Sequence, residues 1–302
     1  MPLIAMNHLL QHALENAYAV GYFESWNLES LLAVVDAAEK TKSPVIIGFN
    51  GTFLGHDERR RAENIYHYGR LCQSIAEQAT VPVALILNEA DQVSILIQAL
   101  QAGFNAIMYV NEKNTFEETI EITKYLVKTA HYCGAYVEGE VGELPTADIA
   151  THTLSAGALT DPERAAFFVE QTGVDGLAVS VGNVHLLEGR KAKLDFDLIK
   201  TLRKKIPVPL VLHGATGIAD EELQEAITLG MCKINVGTVF KRIYLNVIKT
   251  YLRDHDVETM NPHDVVGKGG HLDLFSNARE MIAAEVIRLI RLFGSENRAY
   301  TW

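Results

Sequence analysis

The chain has 302 residues and a formal net charge of −11, with 48% hydrophobic and 22% charged residues. This length and composition suit one globular α/β domain with a core of full size. The acidic balance disfavours a nucleic-acid-binding surface, and no apolar run approaches the roughly 20 residues that a membrane span needs.

The cysteines and the first residues indicate the compartment. Cys72, Cys133 and Cys232 form neither a CxxC motif nor a spacing typical of metal ligands, which fits a reducing cytoplasm. Residues 1–7 lack the basic start and the long apolar run of a signal peptide. The sequence therefore predicts a cytoplasmic protein with no membrane partner.

Eight short runs of strand length follow one another along the chain. Most are apolar throughout rather than alternating, which is typical of strands buried on both faces of a parallel sheet. The runs are Tyr18–Glu24, Pro44–Asn50, Pro82–Asn88, Ala106–Asn111, Tyr136–Gly142, Gly176–Gly182, Pro209–Gly214 and Lys233–Thr238.

Segments with helical periodicity separate most of these runs, and strands that alternate with helices imply βαβ units and a parallel sheet. Eight such units predict an α/β fold, a (β/α)8 TIM barrel, and residues 1–302 read as a single domain because no linker or low-complexity segment divides them. The alternative is an open doubly wound sheet, which is disfavoured because no run leads into a Rossmann-type first turn. The helical segments are Leu28–Glu39, Ala62–Gln78, Val93–Gln101, Glu118–His131, Asp161–Gln171, Phe196–Lys204, Asp220–Leu229 and Phe240–Arg253.

A segment outside the eight units follows Thr259. A glycine-rich connector over residues 261–270 leads to a predicted amphipathic helix from Asn277 to Phe293. We expect this appended helix to serve a subunit interface or to cap the bottom of the barrel, and the pattern does not favour either role.

The segments Val208–Gly217 and Lys233–Thr238 each begin as an apolar strand and end in polar and small residues. In parallel α/β barrels the carboxyl ends of the strands carry the active site. Small residues there allow backbone N–H groups to reach a phosphate, and His213 adds an imidazole at the same rim.

The other predicted strand ends are also rich in carboxylates, amides and imidazoles. Two histidines and at least one glutamate converging on a rim would fit a divalent metal of the zinc type, although isolated residues offer no short spacing to test. The rim residues are Glu24, Asn50, Asn88, Glu89, Asn111, Glu112, Glu140, His185, His213 and Asn235.

Four motifs occur together, at Glu138–Gly142, Val181–His185, Leu212–Gly217 and Lys233–Thr238. In this order and spacing they resemble the class II, metal-dependent ketose-bisphosphate aldolases, nearest to the fructose- and tagatose-bisphosphate branch. The resemblance implies a (β/α)8 barrel that forms a homodimer or homotetramer. It also implies cleavage of a ketose bisphosphate to dihydroxyacetone phosphate and an aldehyde, with a divalent metal, zinc first and Mn²⁺ or Fe²⁺ as alternatives.

The resemblance implies roles for individual residues in a phosphosugar site. His185 and His213 match metal ligands, and Glu140 matches the family carboxylate near the metal. The residues that match the C1-phosphate nest and the groups holding the dihydroxyacetone phosphate half are Gly214, Thr216, Asn235, Gly237 and Thr238.

The chain departs from the family at the end of the third strand, where an Asp-His pair is usual. Asn88 stands in place of the catalytic Asp, and Glu89 in place of the metal-binding His. An amide can orient a hydroxyl but cannot act as a general base. Glu89 can ligate a metal through oxygen, which would make the site harder and more anionic.

Other departures lie at the first strand, the fourth strand and the loop after the fifth strand. Glu24 adds a carboxylate where the family has Asn, and Asn111 with Glu112 replaces an Asp motif. Asp148 is the nearest match to the acid of the family's mobile loop, but Pro145 stiffens that loop. The basic residues that could bind a distal phosphate across a subunit boundary are Lys268, Arg279 and Arg298.

These changes cluster on the metal and aldehyde side, whereas the phosphate side keeps its residues. We therefore expect a working aldolase with an altered metal shell and acceptor half, acting on a ketose 1-phosphate or on a bisphosphate other than fructose 1,6-bisphosphate. Asp91, Glu24, Glu89 or Asp148 would supply the missing base. The alternatives are a sugar-phosphate isomerase or epimerase that uses Glu24 and Glu89, and a non-catalytic phosphosugar-binding protein.

Overall fold

The computed structural model describes residues 2–142, 157–184 and 192–300, and the backbone of 147–148 and 153–154. Eight parallel strands form a closed barrel in the order β1-β10-β9-β8-β5-β4-β3-β2. The strands are β1 Val20–Ser25, β2 Val45–Asn50, β3 Val83–Ala90, β4 Ala106–Tyr109, β5 Tyr136–Val141, β8 Gly176–Val179, β9 Leu210–Leu212 and β10 Met231–Val236. Two short antiparallel strands, β6 Ala147–Asp148 and β7 Thr153–Leu154, lie outside the barrel sheet.

Helices alternate with the barrel strands. The barrel is therefore the predicted (β/α)8 fold, and pairing between β1 and β10 closes it. The helices are α1 Met6–Glu15, α2 Leu28–Thr41, α3 Gly51–Leu54, α4 Ile65–Gln78, α5 Val93–Ala102, α6 Phe116–Tyr132, α7 Pro162–Thr172, α8 Phe196–Lys205, α9 Asp220–Thr228, α10 Thr238–Asp254, α11 Pro262–Val265 and α12 Leu274–Leu292. Within the described residues, no helix combines the length and the apolarity that crossing a bilayer requires.

Side-chain caps fix where several outer helices begin. Asn27 and Ser30 form a reciprocal capping box at the start of α2, and Thr115 and Glu118 form another at the start of α6. Asp161 caps α7, whose first residue is a proline. These caps satisfy N–H groups that a helix leaves without intrahelical partners. Each cap fixes the residue at which the loop from the preceding strand ends and the helix begins.

Helix α1 closes the bottom of the barrel. Met6, Leu9, Leu10 and Ala13 are buried together with side chains that point into the barrel from the first parts of the strands. This helix was not predicted from the periodicity of the sequence. Helix α1 therefore covers the bottom of the barrel, which was one of the two positions expected for the C-terminal helix.

Helix α12 instead packs along the side of the barrel, against α2 and α10. Its buried stripe includes Ile282, Val286 and Ile290. Phe293, just after the helix, stacks on Phe23 of β1 with ring centroids 6.3 Å apart. The C-terminal helix therefore completes the outer layer of helices between the first and the last βα units. Helix α10 buries fewer of its residues than α12 does.

The barrel interior contains a buried ion pair. Nζ of Lys233 on β10 lies 2.8 Å from Oε2 of Glu138 on β5, and neither side chain is exposed to solvent. Lys233 also lies over the ring of Tyr22, with Nζ 5.2 Å from the centroid. The pKa of Glu138 is lowered, because Lys233 and His213 outweigh the effect of burial. The carboxylate therefore stays charged inside the barrel.

Breaking this pair should destabilise the fold far more than breaking a surface pair. Lys233→Met removes the ammonium partner of the buried Glu138 charge and leaves it only His213, and we expect a loss of about 3–5 kcal/mol in the free energy of unfolding. Lys200→Met, which removes an exposed pair with Asp197, should cost about 0–1 kcal/mol. Urea unfolding measures both values, and similar losses for the two variants would contradict the assignment.

Candidate active site

A polar pocket opens at the carboxyl ends of β1, β2, β3, β9 and β10. Nine of the sequence-predicted site residues line it, drawn from segments up to 214 positions apart. These nine are Glu24, Asn88, Glu89, His213, Gly214, Thr216, Asn235, Gly237 and Thr238, and the other lining residues are Tyr22, Asn50, Phe53, Val236 and Lys241.

His213, at the end of β9, is buried between two carboxylates. Its Nε2 lies 2.9 Å from Oε1 of Glu138, and its Nδ1 lies 3.0 Å from Oε1 of Glu89. Burial alone would lower the pKa of His213, but the hydrogen bonds to Glu138 and Glu89 outweigh it and raise this pKa to about 9. The ring is therefore fixed in orientation and faces strong negative charge on both edges.

This arrangement suits a cation beside Nδ1. When Nε2 donates to Glu138, a neutral ring turns the lone pair of Nδ1 toward a carboxylate oxygen. Two acceptors at that separation need a proton or a metal ion between them. Burial and the neighbouring charges of Glu89 and Glu138 also raise the pKa of Glu140 to about 7, against the opposing effect of His213. A bound cation would relieve this crowding.

A complete metal site cannot be assembled from the described residues alone. Within residues 2–142, 157–184 and 192–300, no group of three or more His, Cys, Asp or Glu side chains is arranged to hold a metal ion. His213 and Glu89 supply one nitrogen and one oxygen donor at the pocket wall. His185, the other predicted histidine ligand, lies outside the described residues.

Glu89 is held in place by neighbours and by an unusual backbone. Asn50 donates from Nδ2 to its Oε2 at 2.6 Å, and the hydroxyl of Thr52 donates to its carbonyl. The φ angle of Glu89 is +52°, in the left-handed region that residues other than glycine rarely adopt. Such strain persists where the surroundings enforce it, often at functional sites.

Three buried polar atoms at the pocket have no hydrogen-bond partner in the part of the chain that the structure describes. They are Oη of Tyr22, Oδ1 of Asn88 and Nδ2 of Asn235. Lys233 donates to Oδ1 of Asn235 at 2.8 Å, which fixes the amide so that its NH₂ group faces the pocket. Buried polar atoms are rarely left unpaired in proteins, so these three atoms point to a polar ligand.

Backbone geometry at the ends of β9 and β10 resembles an anion site. Gly214 adopts φ +64° and leads into a one-turn 3₁₀ helix over Ala215–Gly217. Gly237 precedes α10, whose first residue is Thr238 and whose start has no side-chain cap. The N-terminus of a 17-residue helix favours negative charge. Both segments line the same pocket.

Glu24, at the end of β1, forms an ion pair with Lys241 of α10. The Nζ atom of Lys241 also lies 4.5 Å from the centre of the Phe53 ring. Burial raises the pKa of Glu24, while Lys241 opposes this effect. The pair places one carboxylate and one ammonium group on the wall next to Gly237.

Two further predicted residues, Asp91 and Glu140, lie outside the pocket lining. Asp91 is exposed beyond the end of β3, and Glu140 lies at the end of β5 near His213 without lining the pocket. The backbone of Asp148 belongs to β6, and its side chain lies outside the described residues, as does His185.

Four residues that shape the site were not predicted from the sequence. Glu138 and Lys233 were part of the quoted motifs but received no role, although a lysine inside an apolar strand signals a buried partner. Lys241 follows Gly237 by four positions, one helical turn away. Tyr22 and Glu24 are two positions apart on β1, so both side chains face the same side of the sheet.

The pocket therefore combines an imidazole between carboxylates, a glycine-rich anion site and unpaired amide and hydroxyl groups. This set can bind an anionic, hydroxylated ligand and can hold a cation beside it. The same chemistry could serve several reactions of phosphorylated sugars.

The family model described as class-II fructose-bisphosphate aldolase matches residues 4–298. The protein YdjI of Escherichia coli (strain K12) is 35% identical, over 93% of this chain and 94% of that protein. The crystal structure of the YdjI aldolase superimposes with a TM-score of 0.81 at 33% identity and covers 98% of this chain and 99% of that one.

Two further relatives match over nearly their whole length. A fructose-bisphosphate aldolase of Geobacillus stearothermophilus is 33% identical over 99% of both chains. A sulfofructosephosphate aldolase of Alkalicoccus urumqiensis is 31% identical over the full length of both. The matched residues include both strand ends that form the anion site and the strand that carries His213. The chain therefore belongs to the class-II fructose-bisphosphate aldolase family and is an aldolase, a lyase that breaks a carbon–carbon bond.

Proposed function

We propose that this aldolase cleaves a ketose phosphate or bisphosphate to dihydroxyacetone phosphate and an aldehyde, with a divalent cation held at His213. The observation that carries the proposal is one pocket that joins His213, the Gly214 and Gly237 segments and three unpaired polar atoms. Gly214, Thr216 and Thr238 would bind the C1 phosphate through the anion site. Asn235 would donate its NH₂ group to an oxygen of the dihydroxyacetone half.

The donor set fits a divalent metal, and metal dependence is a property of the family. His213 and Glu89 would hold the ion, joined by His185 and Glu140 as the resemblance implies. Nitrogen and oxygen donors suit zinc first and would also suit Mn²⁺ or Fe²⁺. When bound, such an ion supplies a Lewis acid for the negative charge that develops as the carbon–carbon bond breaks. Glu138 orients the His213 ring, as carboxylates commonly do for histidine ligands.

Cleavage also requires removal of a proton from the C4 hydroxyl of the substrate. Asn88 can accept a hydrogen bond from that hydroxyl through its unpaired Oδ1, but its amide cannot take the proton. Of the candidate carboxylates, Glu24 and Glu89 line the pocket and Asp91 does not. Glu89 is the proposed metal ligand, which leaves Glu24. We propose Glu24 as the proton acceptor, with Asp148 of the loop after β5 as the acid that exchanges a proton with the dihydroxyacetone half.

The acceptor half of the substrate is proposed to differ from that of fructose 1,6-bisphosphate. Asn88, Glu89 and Glu24 depart from the family pattern on that side of the pocket, whereas the anion site keeps its residues. Two relatives carry the names of different aldolases, one for fructose bisphosphate and one for sulfofructosephosphate. Relatives of this chain are therefore named for more than one ketose phosphate.

We also infer a cytoplasmic homo-oligomer, a dimer or tetramer. The cysteines are unpaired, and Cys72 and Cys232 are buried as thiols, which fits a reducing compartment. Leu245 and Leu252 on α10 are more than half exposed, and exposed apolar side chains on one helix suit a subunit interface.

Replacing His213 should remove metal and activity together. His213→Ala deletes the imidazole that would ligate the ion, and we expect a loss of cleavage on the order of 10³-fold with loss of bound metal. Metal content is measured on protein purified without added metal, and release of dihydroxyacetone phosphate is measured on a panel of ketose phosphates. His8→Ala, at an exposed histidine, is the matched control and should retain both.

Each other outcome of this experiment has a defined meaning. Bound metal without any triose phosphate would contradict the cleavage proposal and favour isomerisation or epimerisation. Neither metal nor turnover, even after reconstitution, would leave only a phosphosugar-binding role.

The left-handed backbone of Glu89 predicts that its glycine and alanine variants differ in stability but not in activity. Glu89→Gly removes the side chain and the strain together, whereas Glu89→Ala removes the side chain and keeps the strain. We expect the glycine variant to be more stable than the alanine variant by about 1 kcal/mol in urea unfolding. Both should lose metal and cleavage. Equal stability of the two variants would show that this backbone is not strained.

A further inference from the structure

We propose that the hydroxyl of Tyr22 is a catalytic hydrogen-bond donor. Together with the amide of Asn235, it holds the C2 oxygen of the dihydroxyacetone half while that oxygen gains negative charge. This inference rests on the proposed function and deepens it, because the cleavage mechanism otherwise leaves Tyr22 without a role.

Tyr22 lies inside the barrel and reaches the pocket. Its side chain is 1% exposed and belongs to the same interior cluster as Ile46 and Ile86 on the neighbouring strands. It also lines the pocket. Its Oη has no hydrogen-bond partner within the described residues. A buried hydroxyl rarely stays unpaired in the functional state of a protein, so we infer that its partner is part of the ligand.

Tyr22 and Asn235 are direct neighbours on adjacent strands. Tyr22 of β1 is in register with Asn235 of β10, and both line the pocket. Adjacent strands lie about 4.8 Å apart, so the two side chains leave the sheet next to each other. The Nδ2 of Asn235 is also unpaired within the described residues. An amide NH₂ group can only donate and a phenol can donate, so one oxygen with two lone pairs can accept from both.

Lys233 positions both donors. Its Nζ donates to Oδ1 of Asn235 at 2.8 Å and lies 5.2 Å from the centre of the Tyr22 ring. An ammonium group over an aromatic face is attracted to the ring. Both donors are therefore oriented before a ligand arrives. Donors that do not have to reorient during the reaction stabilise developing charge most effectively.

The hydroxyl of Tyr22 keeps its proton at neutral pH. Burial raises the pKa of Tyr22 well above its ordinary value, and the charges of Glu24 and Glu89 raise this pKa further. Tyr22 therefore acts as a donor rather than as a base, and the proton of the substrate is left to Glu24.

The bond changes of the cleavage explain why such donors would accelerate it. The C3–C4 bond breaks and its electron pair moves toward the C2 carbonyl, whose oxygen becomes negative. The C4 hydroxyl gives its proton to Glu24, and C4 becomes the aldehyde carbon. A hydrogen bond to the C2 oxygen is therefore stronger in the transition state than in the bound substrate, and this difference lowers the barrier.

Tyr136 provides a comparison within the same barrel. It is 2% exposed on β5, and its Oη is also unpaired within the described residues. This oxygen packs against Gly176, where an added Cβ atom would lie 1.8 Å from it. Tyr136 does not line the pocket. The position beside Asn235 at the pocket therefore distinguishes Tyr22 from a phenol that is only enclosed.

The test compares Tyr22→Phe with Tyr136→Phe, each of which removes one oxygen atom, on the purified protein with its metal. Proton NMR follows exchange of deuterium from D₂O into C3 of dihydroxyacetone phosphate, a reaction that needs no aldehyde. Tyr22→Phe should slow this exchange and aldol cleavage on the order of 10²-fold. The Kd of dihydroxyacetone phosphate, measured by calorimetry, should change by less than about threefold. Tyr136→Phe should match the unmodified protein in all three.

The carbonyl stretch of bound dihydroxyacetone phosphate, labelled with ¹³C at C2, is a second readout that needs no turnover. Hydrogen bonds to the oxygen lower the frequency of this infrared band, so Tyr22→Phe should raise it relative to the unmodified protein. The melting temperature should stay the same or rise, because the hydroxyl makes no hydrogen bond within the described residues. A lower melting temperature together with an unshifted band would indicate a structural role and overturn the inference.

The remaining outcomes separate this inference from the proposed function. Unchanged exchange in Tyr22→Phe would overturn the inference, and so would weaker binding at an unchanged rate of exchange. A band that depends on Tyr22, without any cleavage by the unmodified protein, would sustain the inference while the proposed reaction fails. Cleavage that is indifferent to Tyr22 would do the reverse, and failure of the unmodified protein to bind dihydroxyacetone phosphate would overturn both.

Discussion

The carboxylate of Glu138 is the interaction on which the site depends. It accepts from His213 on one strand and from Lys233 on another, inside a barrel closed to solvent at that level. A buried carboxylate needs such partners, because desolvation without them would neutralise it. The same pairing that keeps it charged fixes the imidazole and the ammonium group. Lys233 then orients Asn235, so one buried charge sets the direction of three side chains around the pocket.

The two halves of the pocket use charge differently. Around His213, buried carboxylates accumulate and leave a place that suits a cation. Around Gly237, backbone and the start of α10 favour an anion, with one lysine paired to Glu24. A phosphorylated ketose carries its anionic end a few bonds from its carbonyl. A pocket that favours a cation at one end and an anion at the other therefore matches a phosphorylated ketose in its electrostatic field as well as in its shape.

The fold was predictable from sequence because strands buried on both faces are continuous apolar runs, and helices between them repeat with their own period. All eight barrel strands lie where those runs predict them, within a few residues at their ends. Helix α1 was missed because its role in closing the barrel depends on contacts with strands distant in sequence. The position of α12 beside α2 was unresolved for the same reason, since an apolar stripe does not say which surface covers it.

The site was predictable to the extent that strand ends and family motifs mark it, and nine of the predicted residues meet in one pocket. The pairing of Glu138 with Lys233 joins positions 95 residues apart, which local spacing does not reveal. The contact between Glu24 and Gly237 has a consequence for the history of this sequence. A side chain at position 237 would collide with the carboxylate of Glu24 unless that carboxylate moved. Position 237 is therefore restricted to glycine only while a long acidic residue ends the first strand, and a larger residue there should be accompanied by a shorter or displaced side chain at position 24.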